Sequence, residues 1–286
     1  MSTVELILVP YHLGHRNRGM GAGPTRLLDL GAAGAVEALG HQVAIKAVEL
    51  SGRPLHEIGA TFDLNRSLAA TVQSAVGNGA FPLILAGNCN SCLGTVAGLR
   101  VLDIGIAWFD AHGDFNSPES SATGFFDGMA LNAAVGGCWR ASTKSIPGFE
   151  PVAENRVGLI GVRDLDPDER RLLEHAAVGV VEYATLRRGG LQEVVGCLDA
   201  IGERAKSIYV HVDLDVMDRE TVPANEFSPD GGLALEELDQ SLLLVGERFD
   251  VRAAALTAYN PDFDVDGQAA AAALSVIGTL AGVGCG

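Results

Sequence analysis

Short apolar segments alternate with longer segments of helical periodicity along the whole chain. The short segments are rich in Val, Ile and Leu, which is typical of buried strands. Ala- and Leu-rich stretches between them, such as LALEELDQSLLLVGERF, predict helices. The predicted strands are residues 4–9, 42–50, 81–86, 103–110, 156–162, 179–184, 207–216 and 251–259. This alternation predicts an α/β fold, although periodicity alone does not choose between a closed barrel and an open doubly wound sheet.

Polar clusters follow four of the predicted strands. They read GNCNS, DAHGD, DLDVMD and NPDFD. In both candidate architectures, ligands bind at the carboxyl ends of the strands, on the loops that follow them. We therefore expect the four clusters to converge on one site.

Two of these clusters carry potential metal ligands at alternate positions: Asp110, His112 and Asp114 in DAHGD, and Asp213 and Asp215 in DLD. Side chains two apart on an extended segment point to the same side. Neighbouring carboxylates at a buried strand end repel each other and are costly to desolvate unless they are protonated, paired or bound to a cation. Oxygen-rich ligation with imidazole suits Mn²⁺ or a similar dication, and shared carboxylates commonly hold a pair of ions.

The alternative is that each Asp caps a helix or fixes a turn. Capping needs a single Asp rather than alternating sets, so we favour cation binding for the two clusters. His211 lies on the same predicted strand face as Asp213 and Asp215. For four further acidic residues the capping interpretation is favoured: Asp164, Asp166, Asp168 and Asp218.

Composition narrows the class of protein. The formal charge of −16 disfavours a nucleic-acid partner or an anionic membrane. The start, MSTVELILVPYH, lacks a basic n-region, and no stretch is predicted to span a membrane, so we expect a cytoplasmic protein.

Five cysteines in 286 residues are too few for a disulfide framework. Since no linker or composition break is visible, a single domain over 1–286 is predicted.

Several motifs together resemble the arginase/agmatinase family of ureohydrolases over nearly the whole chain. They are GMGAGPTRLL, WFDAHGDFNSPESSATGFFDGMAL, HVDLDVMD and PDGGL. The resemblance implies a three-layer α/β/α fold with an eight-stranded, mainly parallel sheet. It also implies a dinuclear manganese centre that hydrolyses guanidino compounds, and a homo-oligomer, trimeric or hexameric.

The resemblance assigns metal ligands residue by residue. Asp110 and Asp213 would bridge both ions, Asp114 would complete the first site, and His112 with Asp215 would complete the second.

It also assigns residues that bind substrate. Asn116 and Thr123 match residues that hold the α-carboxylate in arginases, and Asp166 matches one near the α-amino group. Asn and Thr in a loop are more often simple turn residues.

Three positions depart from the family pattern. The motif G-G-D-H-S, whose His ligates the first metal, is replaced by a segment with Cys89 in the ligand's place. The His credited with proton transfer, just before Gly-Met, is Asp127. The substrate-binding Glu before Asn-Pro is Ala258, for which Glu226 is a candidate replacement, although a solvated surface Glu is an equally good interpretation.

A Cys89 thiolate would make the ligated centre net negative and favour Zn²⁺ or Fe²⁺ over Mn²⁺ at the first site. Two alternatives remain open: a small buried residue that ligates nothing, and a reversible disulfide with Cys92.

These observations lead to a metal-dependent hydrolase of a guanidino or amidino C–N bond, in which Asp127 or a water handles protons. Arginine is expected to be a poor substrate because Ala258 removes a charged partner, and N-hydroxyguanidine, being less basic, is a candidate. The runner-up is a ureohydrolase-fold protein that binds metal or regulates without turnover. A dinucleotide oxidoreductase is disfavoured, since GMGAG lies well beyond the first strand and GNCNS lacks G-x-G-x-x-G.

Overall fold

The structure is a computed structural model that describes residues 1–52 and 56–286. Within these residues, ten strands form. They are β1 (Thr3–Val9), β2 (Tyr11–His12), β3 (His15–Arg16), β4 (Gln42–Ala47), β5 (Ala80–Ala86), β6 (Gly105–Phe109), β7 (Val157–Ile160), β8 (Gly179–Val181), β9 (Ser207–Asp213) and β10 (Asp250–Thr257).

Helices alternate with the strands. They are α1 (Gly23–Asp29), α2 (Ala32–Glu37), α3 (Glu57–Gly77), α4 (Cys92–Leu99), α5 (Ala130–Ala134), α6 (Arg140–Thr143), α7 (Pro167–His175), α8 (Tyr183–Gly189), α9 (Leu191–Gly202), α10 (Leu235–Arg248) and α11 (Gln268–Cys285). Short 3₁₀ turns follow several strands, including Cys89–Ser91 after β5 and Leu214–Val216 after β9.

Eight strands form one open sheet in the order β4-β1-β5-β10-β9-β6-β7-β8, and every neighbouring pair is parallel. β2 and β3 form a separate antiparallel hairpin. All eight predicted strands are therefore confirmed, and the open sheet excludes the barrel. The mainly parallel sheet predicted from the resemblance is parallel throughout.

Helices cover both faces of the sheet, which gives three layers. One apolar core lies between the sheet and α1, α2, α8, α9, α10 and α11. The other lies between the sheet and α3, α4, α5 and α7. The central strands are buried on both sides, and all seven residues of β5 are buried. This explains why their sequences are continuous apolar runs rather than alternating ones.

Six of the eight predicted strands end earlier than expected, three of them by three residues. The segment 42–50 leaves the sheet after Ala47, the segment 179–184 after Val181, and the segment 207–216 after Asp213. The Asp213 carboxylate accepts a hydrogen bond from the backbone N–H of Asp215 (2.9 Å), which fixes the following turn. Asp213 and Asp215 consequently lie on a strand end and a turn, not on one extended face.

One helix in the described residues is long and apolar enough to cross a membrane: α11, with a mean hydropathy of 1.5. The expectation that no stretch approaches a membrane span is thus wrong by length and composition. In the fold, α11 packs against β10, α10 and α2, and its Val276, Ile277 and Leu280 side chains are fully buried. It serves as a helix of the core.

Candidate metal centre

The register of the four central strands brings the predicted polar clusters together. Thr257, the last residue of β10, lies opposite Ala86 of β5 on one side and Asp213 of β9 on the other. Phe109, the last residue of β6, lies opposite Val212 of β9. Because all four strands are parallel, the residues that follow them meet at one edge of the sheet.

Gly87 allows the chain after β5 to turn into this edge. A Cβ at this position would lie 2.4 Å from the backbone oxygen of Tyr11 and 2.7 Å from Cα of Gly21. Only glycine permits so close an approach of two backbones. The turn that follows carries Cys89 to the ends of the neighbouring strands.

Two groups of potential ligand atoms form there, and Asp110 belongs to both. Cys89, Asp110 and Asp213 make the first group, and Asp110, His112 and Asp215 make the second; within each group the ligand atoms lie within 4.8 Å of one another. Five of the six predicted ligands are therefore brought together. A carboxylate shared by two groups is the arrangement expected for a pair of ions.

His112 lies between the two carboxylates of the second group. Its Nδ1 is 3.3 Å from Asp215 Oδ2 and 3.5 Å from Asp110 Oδ1. Burial acts to lower the pKa of His112, but the charges of Asp215 and Asp110 outweigh it and raise that pKa well above its usual value. Burial likewise opposes the ionisation of Asp215, yet the His112 charge lowers the Asp215 pKa. The site thus favours a positive charge at this point.

Asp114, the sixth predicted ligand, lies outside both groups but lines the same cavity. Its backbone is left-handed (φ 47°), a conformation that Asp tolerates better than most residues. Its Oδ2 is buried without a hydrogen-bond partner. Burial and the nearby Asp110, Asp127 and Asp213 charges raise the Asp114 pKa well above its usual value.

The donor set fits a pair of divalent cations. Asp110, Asp213 and Asp215 are each at most 5% exposed, and burial raises the pKa of Asp110 and Asp213. Buried carboxylates at such distances need a compensating positive charge. Carboxylate oxygens with one imidazole suit Mn²⁺, whereas the Cys89 sulfur is a softer donor.

A cavity of about 170 Å³ opens onto these groups. Three predicted substrate-binding residues line it: Asn116, Thr123 and Asp166. Asn116 donates a hydrogen bond to the Asp166 carboxylate (3.1 Å). Glu226 does not line this cavity, because its carboxylate accepts a hydrogen bond from Asn260 Nδ2 (2.9 Å) instead.

Comparison of the sequence with known proteins identifies the family of this chain. The sequence model of the Arginase family matches residues 2–282. The chain belongs to the arginase family. It is 29% identical to an arginase of Bacillus caldovelox over 99% of both chains, and 27% identical to one of Brevibacillus brevis over 98% of this chain and 97% of that one.

Solved structures of known proteins share the fold of this chain. A structure of Bacillus caldovelox arginase superposes with a TM-score of 0.91 at 28% identity, covering 99% of both chains. Proclavaminate amidino hydrolase from Streptomyces clavuligerus shares the fold, with a TM-score of 0.73 at 19% identity over 99% of this chain and 92% of that one.

Cys89, the residue that the resemblance sets in place of a metal-ligating His, is buried among acidic groups. Its thiol donates to Asp213 Oδ2 (2.9 Å) and lies 3.2 Å from Thr257 Oγ1. Burial, together with the charges of Asp213 and Asp127, raises the Cys89 pKa well above its usual value. A thiolate at this position therefore requires a bound cation. Cys92 instead lies 3.7 Å from the backbone oxygen of Ala130, and both thiols are free.

Asp127, which the resemblance sets in place of a proton-transfer His, already uses both of its carboxylate oxygens in hydrogen bonds. Oδ2 accepts a hydrogen bond from Asn88 Nδ2, and Oδ1 accepts one from the backbone N–H of Asn90 (2.9 Å). Burial raises the Asp127 pKa, although these bonds oppose that rise. In this arrangement Asp127 fixes the loop that carries Cys89.

A buried aromatic stack lies behind the ligands. Trp108 and His211 are stacked with ring centroids 3.6 Å apart, and Trp108 Nε1 donates to Asp110 Oδ2 (2.9 Å). His211 Nε2 lies 3.3 Å from Thr257 Oγ1, which in turn contacts Cys89. Burial lowers the His211 pKa to about 3, so His211 is neutral. The predicted strand face placed His211 near the site but did not reveal this contact.

Sequence reasoning also missed Glu169 and Arg163. Glu169 lines the cavity, accepts a hydrogen bond from the backbone N–H of Phe115 (2.8 Å), and has a pKa raised to about 7 by burial. Arg163 donates to backbone carbonyls in the two segments 215–217 and 229–230. No local motif marks either residue as part of the site, since both reach it across more than fifty positions of sequence.

Proposed function

We propose that this member of the arginase family hydrolyses a C–N bond of a guanidino or amidino compound and releases a urea-type product. The observation that supports the proposal is the pair of donor groups that share Asp110. Two cations bound there would supply an acidified water as nucleophile and a positive field for the charge that develops during attack. We propose Mn²⁺ for the group with His112, and Mn²⁺ or a softer dication for the group with Cys89.

The remaining residues have roles that their surroundings suggest. Asp114 Oδ2, buried and without a partner, is the atom at which a proton from the attacking water is held before it passes to the leaving nitrogen. Asn116, Thr123 and Asp166 bind the end of the substrate remote from the reacting carbon, as the resemblance implies. Asp127 or a water was the predicted proton carrier; because both Asp127 oxygens are hydrogen bonded, Asp114 or a water is the better candidate.

The substrate is proposed to be less basic than arginine. Ala258, which lines the cavity, offers no carboxylate to a guanidinium, and Glu226 would have to break its bond with Asn260 to replace one. Losing such a charged hydrogen bond costs about 1.5 to 3 kcal/mol of binding free energy. A substrate such as an N-hydroxyguanidine depends less on that interaction.

Two measurements test this proposal: the metal content of protein purified without chelator, and the release of urea or hydroxyurea from arginine, N-hydroxyarginine, agmatine and guanidinobutyrate. The variant Asp110→Asn should lose both bound metal and turnover, since Asp110 belongs to both donor groups. Asp168→Asn is the matched control, because Asp168 lies on the exposed side of α7 beside Arg171. Asp110→Asn protein that retains its metal and its turnover would contradict the proposal.

A second candidate function is a metal-binding or regulatory protein without turnover. The observation that favours it is that Asp127 is fully hydrogen bonded and Glu226 lies outside the cavity. Full metal loading without release of product from any guanidino or amidino compound would favour this candidate.

The protein is further proposed to act in the cytoplasm, as a single domain over 1–286 that assembles into trimers or hexamers. The bacterial arginases that it resembles over their full length support this assignment. Light scattering coupled to size exclusion measures the assembly.

A further inference from the structure

The cavity has an apolar side that the proposed chemistry does not use. Met20, Phe125, Phe227 and Ala258 all line it. The Phe125 and Phe227 rings lie 5.4 Å apart at a tilt of 32°. Phe227 is 44% exposed and Phe125 is half-buried, so both rings present apolar surface to whatever enters. Exposed aromatic surface next to convergent polar groups is typical of a ligand site.

One buried amide fixes this apolar side. The Asn225 side chain is 3% exposed, and its Oδ1 accepts a hydrogen bond from the backbone N–H of Phe227 (2.8 Å). Its Nδ2 donates to the backbone oxygen of Ala258 (2.9 Å). Asn225 therefore holds an aromatic residue beside the position where the family carries its substrate-binding Glu. Ala258, which lacks the carboxylate of that Glu, therefore has the apolar Phe227 held near it by Asn225.

Phe125 is held by a contact within its own loop and by a contact with His12. Its backbone N–H donates to Thr123 Oγ1 (3.2 Å), and its ring meets the His12 ring edge-on at 6.5 Å. Thr123 is also one of the predicted substrate-binding residues. The loop that would contact the remote end of the substrate thus carries an aromatic ring with it.

The charged side chains that line the cavity are mostly acidic, among them Asp164, Asp166 and Glu169, and the lining residues in the described part of the chain include neither Lys nor Arg. Such a lining repels an anionic tail and attracts a cationic one, so it does not select for an uncharged tail. The feature that favours a ring is therefore the pair of aromatic faces of Phe125 and Phe227.

We propose that the substrate of this site carries a flat aromatic group, bound by Phe125 and Phe227, at the end remote from its guanidino or amidino carbon. This inference rests on the proposed function and narrows its substrate class. Aromatic pairs prefer offset or tilted packing at centroid distances like that of Phe125 and Phe227, so a third ring can extend the same arrangement.

The test compares phenethylguanidine, which carries an aromatic tail, with butylguanidine, which carries an aliphatic tail of the same charge. Manganese-loaded wild-type protein should have the higher kcat/KM for phenethylguanidine. In Phe227→Ala and Phe125→Ala, the ratio of the two kcat/KM values should fall about three- to tenfold, the loss expected for one aromatic contact. Phe263→Ala is the matched control, because Phe263 is 43% exposed but does not line the cavity, and it should leave the ratio unchanged.

A wild-type preference for butylguanidine, or a ratio that both cavity variants leave unchanged, would overturn the inference while the proposed function stands. If neither compound is hydrolysed, the assays on arginine, N-hydroxyarginine, agmatine and guanidinobutyrate decide the proposed function, and calorimetric binding to the manganese-loaded protein decides the inference separately. Tighter binding of phenethylguanidine than of butylguanidine, weakened by Phe227→Ala, sustains the inference. Equal affinities for the two compounds overturn it.

Discussion

At the scale of single residues, we propose that Cys89 determines which cation the first donor group prefers. Its thiol is protonated among acidic neighbours, as its hydrogen bond to Asp213 and its raised pKa indicate. A cation must displace that proton, and a soft cation gains more from the resulting thiolate than Mn²⁺ does. On this proposal, the sulfur would select against Mn²⁺, the metal that the oxygen ligands of the site favour.

Replacing the sulfur should reverse this selection. We expect Cys89→His to raise the affinity for Mn²⁺ at the first group on the order of tenfold and to lower the share of zinc, because imidazole is the harder donor. Metal content after equilibration with equal manganese and zinc, measured by mass spectrometry, checks this. Cys285→Ser, far along the chain on α11, is the control. An unchanged metal content would mean that Cys89 ligates nothing.

The acidic clusters could be predicted from sequence because each follows an apolar strand. The reasoning was only partly right, however: Asp215 lies on a turn and Asp114 in a left-handed conformation, so the side chains converge because the parallel strands end at one edge. Glu169 could not be predicted as part of the site. In sequence it completes a capping box with Asp166, and only the fold brings its second oxygen to Phe115.

At the scale of elements, one side chain connects the loops that carry the ligands. The Arg163 guanidinium donates to the backbone oxygens of residues 215–217, the segment that contains Asp215, at 2.8 to 3.2 Å. It also donates to residues 229–230 in the PDGG turn. Its own backbone N–H donates to the oxygen of Ala111 (2.8 Å), next to His112. Arg163 thus connects three loops at the carboxyl edge of the sheet.

Arg163→Ala should weaken both the fold and the second donor group. Losing hydrogen bonds from a charged, half-buried group should cost on the order of 3 kcal/mol of unfolding free energy, measured by urea denaturation of metal-free protein. Calorimetry of the folded variant should show weaker manganese binding, and Arg163→Lys should recover part of both losses because it retains the charge but not the planar set of donors.

Arg156→Ala gives the matched control, since Arg156 is partly buried like Arg163 but donates to a single carbonyl, that of Leu102 (3.1 Å). Its effect on stability should stay within about 0.5 kcal/mol. Equal effects of the two alanine variants would contradict the role of Arg163. The element pattern predicted all eight strands, but it could not predict such a connection, because Arg163 lies 52 positions before the first of these carbonyls.

At the scale of the whole molecule, acidic charge dominates both the surface and the site. The net charge is −16, and the cavity adds buried carboxylates whose pKa values burial has raised: Asp110, Asp114, Asp127 and Asp213. A carboxyl with a raised pKa stabilises the fold while it is protonated, below its unfolded value, and loses that contribution as pH rises through its folded value. Glu169, with a pKa of about 7, places part of this loss near neutrality.

Metal-free protein should therefore lose stability between about pH 5 and pH 8. His112 acts in the same direction, because its raised pKa is also a stabilising contribution that disappears as pH rises. Asp215, whose pKa is lowered, opposes the trend only in acid below this window. Since cations bind the ionised carboxylates, the rise in Tm caused by manganese should be larger near pH 8 than near pH 5. Thermal unfolding with and without manganese across this range measures both effects, and Glu169→Gln should flatten the metal-free profile. A metal-free Tm that increased with pH would show that these carboxyls are not buried as described.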